Sequence, residues 1–209
     1  EVHWHEGRAY VAGKPGNEYR VTVGNRLGGE DLLAVVSVDG VNVLSGETVD
    51  PSQAGYVLAP RARFDILGWR KSLSTTAAFY FTALPDSYAA RIGRAQDVGV
   101  IGVAVFRRKP AEPMAIAPSA AQPRGGGGPS SDRARSEQAG RIGTGHGRHE
   151  ASYVRWTAFE RATVAPAEML TLYYDSRQNL VARGIIREAG PMARLPRPFP
   201  GFVPDPGGN

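Results

Sequence analysis

The segment Leu32–Leu44, with the sequence LLAVVSVDGVNVL, constrains the fold of this chain more than any other segment. Asp39 and Gly40 stand between two runs of β-branched residues. This dipeptide favours a two-residue type I′ turn, because both turn residues must adopt positive φ. Alternation with period two sets Val36 and Val38 on one face of the first strand. The segment therefore predicts a β-hairpin, and so a β protein, but it identifies no chemistry.

Other apolar and alternating segments bring the predicted number of strands to about ten, joined by short turns. After Pro85, Ser87 or Asp86 is expected to cap one short helical turn. No alternation of strands and helices is present. The pattern is typical of an all-β protein with an antiparallel β-sandwich, either immunoglobulin-like or jelly-roll-like. Besides the hairpin, the predicted strands lie in 1–11, 18–25, 55–59, 61–69, 75–84, 98–106, 153–159, 168–174 and 180–186.

The composition divides the chain into four parts. Residues 1–107 are predicted to form the main part of the sandwich. Residues 108–150, rich in Pro, Ala, Gly, Ser and Arg, predict a disordered or extended linker. Residues 151–188 are expected to complete the same sandwich, because three strands alone bury too little apolar surface to be stable. Residues 189–209 form a proline-rich, irregular tail.

Charge and cysteine content exclude several classes of protein. The chain has no cysteine, so it has neither disulfides nor thiolate metal sites. Its net charge is +5, but the arginines are scattered and no aromatic residues are interleaved with them, which favours a solvated basic surface over a nucleic-acid site. No apolar run reaches the length of a transmembrane helix. Because the chain starts at Glu1 without Met, we expect an exported form whose signal peptide has been removed.

Six segments of the chain resemble a family of exported proteobacterial proteins that has no known activity. The resemblance covers most of the chain outside the linker. It implies a periplasmic or extracellular location and transfers no catalytic residue. The segments are Val35–Val43, Gly68–Leu73, Leu84–Arg91, Val98–Phe106, Gly143–Gly147 and Phe199–Pro206.

The four histidines form two pairs that are candidate metal ligands, His3 with His5 and His146 with His149. Side chains at i and i+2 of a strand share a face about 7 Å apart. Two imidazoles in such an arrangement can chelate Zn²⁺ or Cu²⁺, with a neighbouring glutamate as a further ligand. The alternative is that all four are ordinary surface histidines.

No sequence motif for catalysis is present. The chain lacks G-x-S-x-G, S-x-x-K and H-E-x-x-H. The segment Gly143–Gly147 matches neither phosphate-loop pattern, and we expect it to be a flexible end of the linker. We therefore predict that the protein is not an enzyme and has no catalytic residues.

The first hypothesis for function is a structural or interaction module. Such a module would assemble with itself, or with another envelope or extracellular protein, through its irregular segments. Phe199 and Phe202, separated by Pro-Gly, are candidate anchors for an extended peptide in an apolar groove. Trp69 and Arg70 are a further candidate contact, although the favoured interpretation is a packing Trp beside solvated charges. The second hypothesis for function is a periplasmic carrier of a metal or small ligand that uses the histidine pairs.

Overall fold

The computed structural model describes residues 1–110 and 141–187, and strands dominate this part of the chain. Two short helices, α1 (Tyr88–Arg91) and α2 (Arg177–Ala182), and two 3-10 turns, Leu84–Asp86 and Ala95–Asp97, accompany the strands. In chain order the strands are β1 (Val2–His5), β2 (Arg8–Gly13), β3 (Glu18–Tyr19), β4 (Val21–Gly24), β5 (Leu32–Val38), β6 (Val41–Asn42), β7 (Tyr56–Leu58), β8 (Arg63–Ile66), β9 (Gly68–Arg70), β10 (Thr75–Ala83), β11 (Val100–Arg107), β12 (Ile142–Ala151) and β13 (Glu168–Ser176).

The largest sheet has seven strands in the order β1-β2-β13-β11-β5-β6, with β7 also paired to β5. Its strand pairs are antiparallel except for one: β2 runs parallel to β13, with Ala9 opposite Leu172. The prediction of a purely antiparallel arrangement is therefore wrong, and this sheet is mixed. The two parallel strands are far apart in the chain, and no local pattern records which distant strands become neighbours.

A four-stranded sheet has the order β12-β10-β3, with β9 also paired to β10, and β4 and β8 form a separate two-stranded ribbon. The predicted single strand 18–25 is thus divided at Arg20, and its two halves join different sheets. The alternation of Tyr19, Val21 and Val23 continues across the break, which is why the sequence pattern does not reveal it.

The predicted hairpin is confirmed. Val38 lies opposite Val41, and the two turn residues have positive φ, 53° at Asp39 and 72° at Gly40. The short helix after Pro85 is confirmed as well, because the Ser87 side chain accepts a hydrogen bond from the backbone N–H of Ala90 at 3.2 Å. Both features depend on short-range signals.

The segment predicted to end the linker is a strand instead. Gly143–Gly147 lies within β12, which pairs antiparallel with β10 along almost its whole length. Small residues are required here, since a Cβ at Gly143 would lie 2.5 Å from the Cβ of Ser87. Glycine-rich composition in this strand thus reflects close packing, and the linker boundary at 150 is wrong. Residues 111–140 lie outside the described part.

Two predicted strands near the C-terminus are wrong. Residues 153–159 form no strand, and the region predicted as a strand at 180–186 contains the end of α2 and a following turn. The Ser176 side chain caps this helix by accepting a hydrogen bond from the N–H of Asn179 at 3.1 Å. Leu180, Ile185 and Ile186 then pack against Tyr10. The apolar residues of 180–186 are compatible with either a strand or a helix, and the cap at Ser176 favours the helix.

One hydrophobic cluster contains residues of both larger sheets. Val36 and Val38 from the seven-stranded sheet belong to the same cluster as Phe79 and Ile142 from the four-stranded sheet. Burial of these side chains is the main favourable term that holds the sheets together. The largest hydrophobic cluster of the described residues therefore contains side chains from both sheets.

Candidate interaction site

One row of opposed residues crosses the seven-stranded sheet from its edge to its centre. Trp4 lies opposite Ala9, Ala9 opposite Leu172, Leu172 opposite Ile101, and Ile101 opposite Val38. Directly opposed residues share a face of the sheet, which we call the inner face. Trp4, at the edge of the row, is 73% exposed, whereas Ala9, Ile101 and Val38 are 8%, 7% and 0% exposed. The inner face is thus covered at β5 and open at β1.

Two further apolar residues are exposed on the inner face. Leu170 lies opposite Val103 in the next row and is 50% exposed, and Val2 lies opposite Val11 on the other side of the Trp4 row. We call Val2, Trp4 and Leu170 the apolar strip. Exposed apolar residues that are scattered singly need no explanation, but several on one face of a sheet indicate a surface for binding.

A cleft of about 260 Å³ lies between β4 and the inner face. Its walls are Val21–Gly24 on one side and apolar side chains of β5, β7, β11 and β13 on the other, including Val103, Val105 and Leu170. The only side-chain hydroxyls in its lining are those of Thr22 and Thr171, and no charged side chain takes part. The cleft is therefore suited to an apolar group.

The N-terminal half of β13 has a strand on one side only. Glu168–Thr171 pairs with β11, whereas pairing with β2 begins at Leu172. Among the described residues, no strand lies on the other side of Glu168–Thr171, which we call the open edge. Unpaired strand edges are templates for the addition of another strand. Leu170 and Thr171 belong to both the open edge and the cleft, so the two are continuous.

A buried polar network lies where the two larger sheets meet. The Asp39 carboxylate accepts hydrogen bonds from the backbone N–H groups of Gly99 and Thr144, each at 2.9 Å, and from the Tyr174 hydroxyl at 2.6 Å. The Thr144 hydroxyl lies 2.8 Å from the Tyr174 hydroxyl and 2.6 Å from that of Tyr19. Since an ionised carboxylate only accepts, the chain of donors runs from Tyr19 through Thr144 and Tyr174 to Asp39.

Burial is the largest cause of the pKa shifts in this network. It raises the pKa of Asp39, and the hydrogen bonds from Tyr174, Thr144 and Gly99 oppose that rise. It also raises the pKa of Tyr19 and Tyr174 well above the ordinary value, so both remain neutral hydroxyls. Because Asp39 and Thr144 are fully buried, the network joins the two sheets and does not present a reactive group to solvent.

The structure places the two histidine pairs in different sheets. His3 and His5 lie on β1, both half-buried. His146 and His149 lie on β12 with ring centroids 6.5 Å apart, and the buried Nε2 of His146 has no hydrogen-bond partner. Burial lowers the pKa of His146, and the nearby charges of Lys71 and His149 lower it further. Among the described residues, no three His, Asp or Glu side chains are grouped as metal ligands.

Two of the other candidate contact residues, Trp69 and Arg70, have partners within the chain. Trp69 is only 3% exposed, and its indole N–H donates to the carbonyl of Gly145 at 3.1 Å, so it packs in the core and is not available to a partner. Arg70 donates to the Ser152 hydroxyl at 3.0 Å. Phe199 and Phe202 lie outside the described residues.

The apolar strip was not predicted from the sequence. The alternation of Val2 and Trp4 with His3 and His5 is a signal that marks an apolar face on β1. The open edge has no comparable signal, because it depends on where the pairing of β2 with β13 begins.

Comparisons of the chain with protein-family models, with curated proteins and with solved structures find no match. Within residues 1–110 and 141–187, no helix has the length and apolar character needed to cross a membrane.

Proposed function

We propose that this protein is a non-enzymatic, exported interaction module that assembles with copies of itself, or with another envelope or extracellular protein. The observation that carries this proposal is the continuity of three features: the apolar strip, the cleft and the open edge. Burial of an apolar face supplies binding energy. An unpaired strand edge beside it supplies backbone hydrogen bonds that fix the direction of a strand bound there.

The energetic argument rests mainly on Trp4. An aromatic side chain of this size buries roughly 150–250 Å² when it is covered, and apolar burial contributes about 25 cal/mol per Å². Most of the Trp4 side chain is still exposed in the isolated chain. Covering it in a complex would contribute on the order of 3 kcal/mol before the costs of association.

A β-sandwich architecture, immunoglobulin-like or jelly-roll-like, is part of the proposal. The hydrophobic cluster shared by the two larger sheets supports it, as do the hydrogen bonds of Thr144, on the smaller sheet, with Asp39 and Tyr174 of the larger one. In such a sandwich the smaller sheet covers the centre of the larger one and leaves its β1 side open. The proposed periplasmic or extracellular location rests on the resemblance to exported proteins.

Sedimentation velocity of the full chain over a range of concentrations tests this function. We expect the sedimentation coefficient of the wild type to rise with concentration, and the rise to be weakened in Trp4→Ser. Trp156→Ser is the matched control, because Trp156 is also exposed but lies in the irregular segment before β13. A wild type that remains monomeric at millimolar concentration contradicts self-assembly.

The second candidate function is a carrier of Zn²⁺ or Cu²⁺. The specific observation in its favour is the proximity of the His146 and His149 rings together with the unpartnered Nε2 of His146. Calorimetric titration with each metal tests it. Binding that is lost in His146→Ala but retained in His3→Ala supports this site, and absence of binding in the wild type contradicts it.

A further inference from the structure

We infer that the cleft between β4 and the inner face binds a medium-chain fatty acid, with the alkyl chain along the cleft and the carboxylate at its Gly24 end. This inference goes beyond the proposed function, because it assigns a small-molecule ligand to the cleft and requires no second protein. Three properties of the cleft carry it: the apolar lining, the elongated shape and the positively charged groups at the Gly24 end.

The lining of the cleft favours an alkyl chain. None of the lining side chains is charged, and apolar side chains of the inner face form one wall. Leu170 is 50% exposed and Val103 is half-buried, so part of this apolar surface is in contact with water. Displacement of water from apolar surface is the main favourable term in binding an apolar group. The inner-face side chains of β11 and β13 that line the cleft are Ile101, Val103, Val105, Leu170 and Leu172.

The dimensions of the cleft set the length of the chain. Its lining on β11 extends from Ile101 to Val105, which is about 13 Å along the strand. An extended alkyl chain matches such a length better than a compact ring does. A cavity of about 150 Å³ holds the six carbons of benzene, so in proportion the 260 Å³ of this cleft holds about ten carbons.

Asn25 fixes the Gly24 end of the cleft against the larger sheet. Its side-chain amide donates a hydrogen bond to the carbonyl of Leu58 at 3.1 Å. Leu58 lies opposite Leu32 in the pairing of β7 with β5, and both line the cleft. The backbone of Gly24, which also lines the cleft, is therefore held beside an apolar wall.

The backbone N–H of Gly24 points to the open edge of β4. The N–H of Asn25 donates to the carbonyl of Ala62 at 2.9 Å, on the side of β8. Successive N–H groups of an antiparallel strand point to opposite sides, so the N–H of Gly24 points away from β8. Among the described strands, β4 pairs with β8 alone. This N–H is thus placed to donate to an anion at the end of the cleft.

Arg63 brings a positive charge to the same place. It lies opposite Gly24 on β8, and because Gly24 has no side chain, the Arg63 side chain extends across it. The Arg63 Nε lies 3.8 Å from the position that a Cβ at Gly24 would occupy. In the described part of the chain Arg63 forms no salt bridge, whereas Arg20, at the other end of β4, pairs with Asp65 at 3.1 Å. The guanidinium of Arg63 is therefore available to a carboxylate.

The surrounding charges favour an anionic head group. Arg26 and Arg61 lie in the two segments that leave this end of the β4–β8 ribbon, and within the described residues neither forms a salt bridge. One carboxylate without a salt bridge, that of Glu168, lies on the inner face opposite Val105. Three guanidinium groups, including that of Arg63, thus stand against one carboxylate, and the local potential is positive.

Calorimetric titration of the full chain with decanoate tests this inference, at a protein concentration where sedimentation shows monomers. Decanol has the same chain without the charge, and butanoate has the charge on a short chain. We expect one decanoate to bind per chain and butanoate to show no binding. Decanol should bind about fivefold more weakly than decanoate, the factor that one solvated arginine–carboxylate pair contributes at most.

Two variants locate the head group and the chain. Arg63→Gln should weaken decanoate binding by up to about fivefold and leave decanol binding unchanged. Arg20→Gln is the matched control, because Arg20 is an exposed arginine at the other end of β4, and it should bind decanoate like the wild type. Val103→Phe fills the cleft and should abolish binding of both decanoate and decanol, and its urea unfolding transition shows whether it is folded.

Hydrogen–deuterium exchange of the wild type tests the same site without a variant. Decanoate should slow exchange of the Gly24 amide, because the carboxylate accepts its hydrogen bond. Unchanged exchange at Gly24 overturns the inference even if Val103→Phe does not fold.

The other contrary results are equally specific. Absence of decanoate binding to the wild type overturns the inference and leaves the proposed function standing, because assembly is measured separately. Undiminished binding to folded Val103→Phe overturns it as well, since the ligand then lies elsewhere. Equal effects of Arg63→Gln and Arg20→Gln would exclude the Gly24 end as the carboxylate site and so overturn the choice of a fatty acid.

Discussion

The hydroxyl of Tyr174 donates a hydrogen bond to the carboxylate of Asp39 at 2.6 Å, although the two residues are 135 positions apart in the chain. Asp39 is the first residue of the central turn, and Tyr174 lies on β13, in the middle of the seven-stranded sheet. The contact joins the predicted turn at Asp39 and Gly40 to β13, the last strand of the described chain. The buried Asp39 carboxylate therefore needs the C-terminal part of the chain for one of its hydrogen bonds.

Tyr174→Phe is expected to destabilise the protein by about 1–3 kcal/mol, because it removes a donor from a buried carboxylate and one of the two hydroxyl partners of Thr144. Urea unfolding measures the change. Tyr153→Phe is the matched control, since Tyr153 is largely exposed, and it should leave the unfolding free energy within about 0.5 kcal/mol of the wild type. Equal stability of the two variants would contradict the role assigned to the network.

The stability of the protein should depend on pH through Asp39. Burial raises the pKa of this carboxyl in the folded state, so between the ordinary pKa of Asp and the raised value the folded chain binds more protons than the unfolded chain. The contribution of Asp39 to stability therefore decreases as the pH rises through this window and is constant below it.

The difference in unfolding free energy between the wild type and Asp39→Asn isolates this effect from the other carboxyls. Asn is the suitable variant because it has nearly the same shape and tolerates the positive φ at this position. We expect the advantage of the wild type over Asp39→Asn to shrink as the pH rises above the ordinary pKa of Asp, and to be constant below it. An advantage that grows with pH would show that the folded pKa is lowered instead.

Gly40→Val should destabilise the protein by a few kcal/mol, for two reasons that can be separated. The residue has φ of 72°, where a β-branched side chain is strained, and a Cβ there would lie 2.9 Å from the Cβ of Asp97. Gly7 has a similar φ of 74° but open space around it, so Gly7→Val carries only the backbone strain. Thermal unfolding should therefore show a larger loss for Gly40→Val, and equal losses would exclude crowding by Asp97.

The local part of the fold is predictable from the sequence, and the long-range part is not. The turn at Asp39 and Gly40 and the cap at Ser87 each depend on residues within four positions, and both were predicted correctly. The strand β12 was missed because its glycines are typical of linkers as well as of close packing. The helix α2 was missed because its apolar residues suit either structure when the cap at Ser176 is overlooked.

In the candidate site too, features that depend on neighbouring residues can be predicted from the sequence, and features that depend on distant residues cannot. Trp4 is recognisable as part of an alternating strand, but its exposure depends on which distant parts of the chain pack against β1. The open edge exists because β2 joins β13 only from Leu172 onwards, in a parallel pairing that no turn connects. Trp69 is buried in the core, which agrees with the interpretation that the sequence favours, a packing Trp beside solvated charges, and not with the alternative of a contact surface.

A fragment that ends at residue 110 should not fold cooperatively. It lacks β13, which lies between β2 and β11, and β12, which pairs with β10. Its β1–β2 hairpin would have no sheet to join, and an isolated hairpin is marginally stable at best. Circular dichroism during urea titration tests this expectation, and a sharp transition with the stability of the whole chain would show that residues 141–187 are dispensable.

Hydrogen–deuterium exchange of the full chain at low and high protein concentration tests the central claim most directly. If the open edge is where molecules meet, the amides of Glu168–Thr171 should exchange more slowly at high concentration, because an added strand and the loss of solvent protect them. The amides of the exposed segment 162–165 should exchange at the same rate in both samples. Unchanged exchange at Glu168–Thr171 in a sample shown by sedimentation to be assembled would place the interface elsewhere and contradict the account.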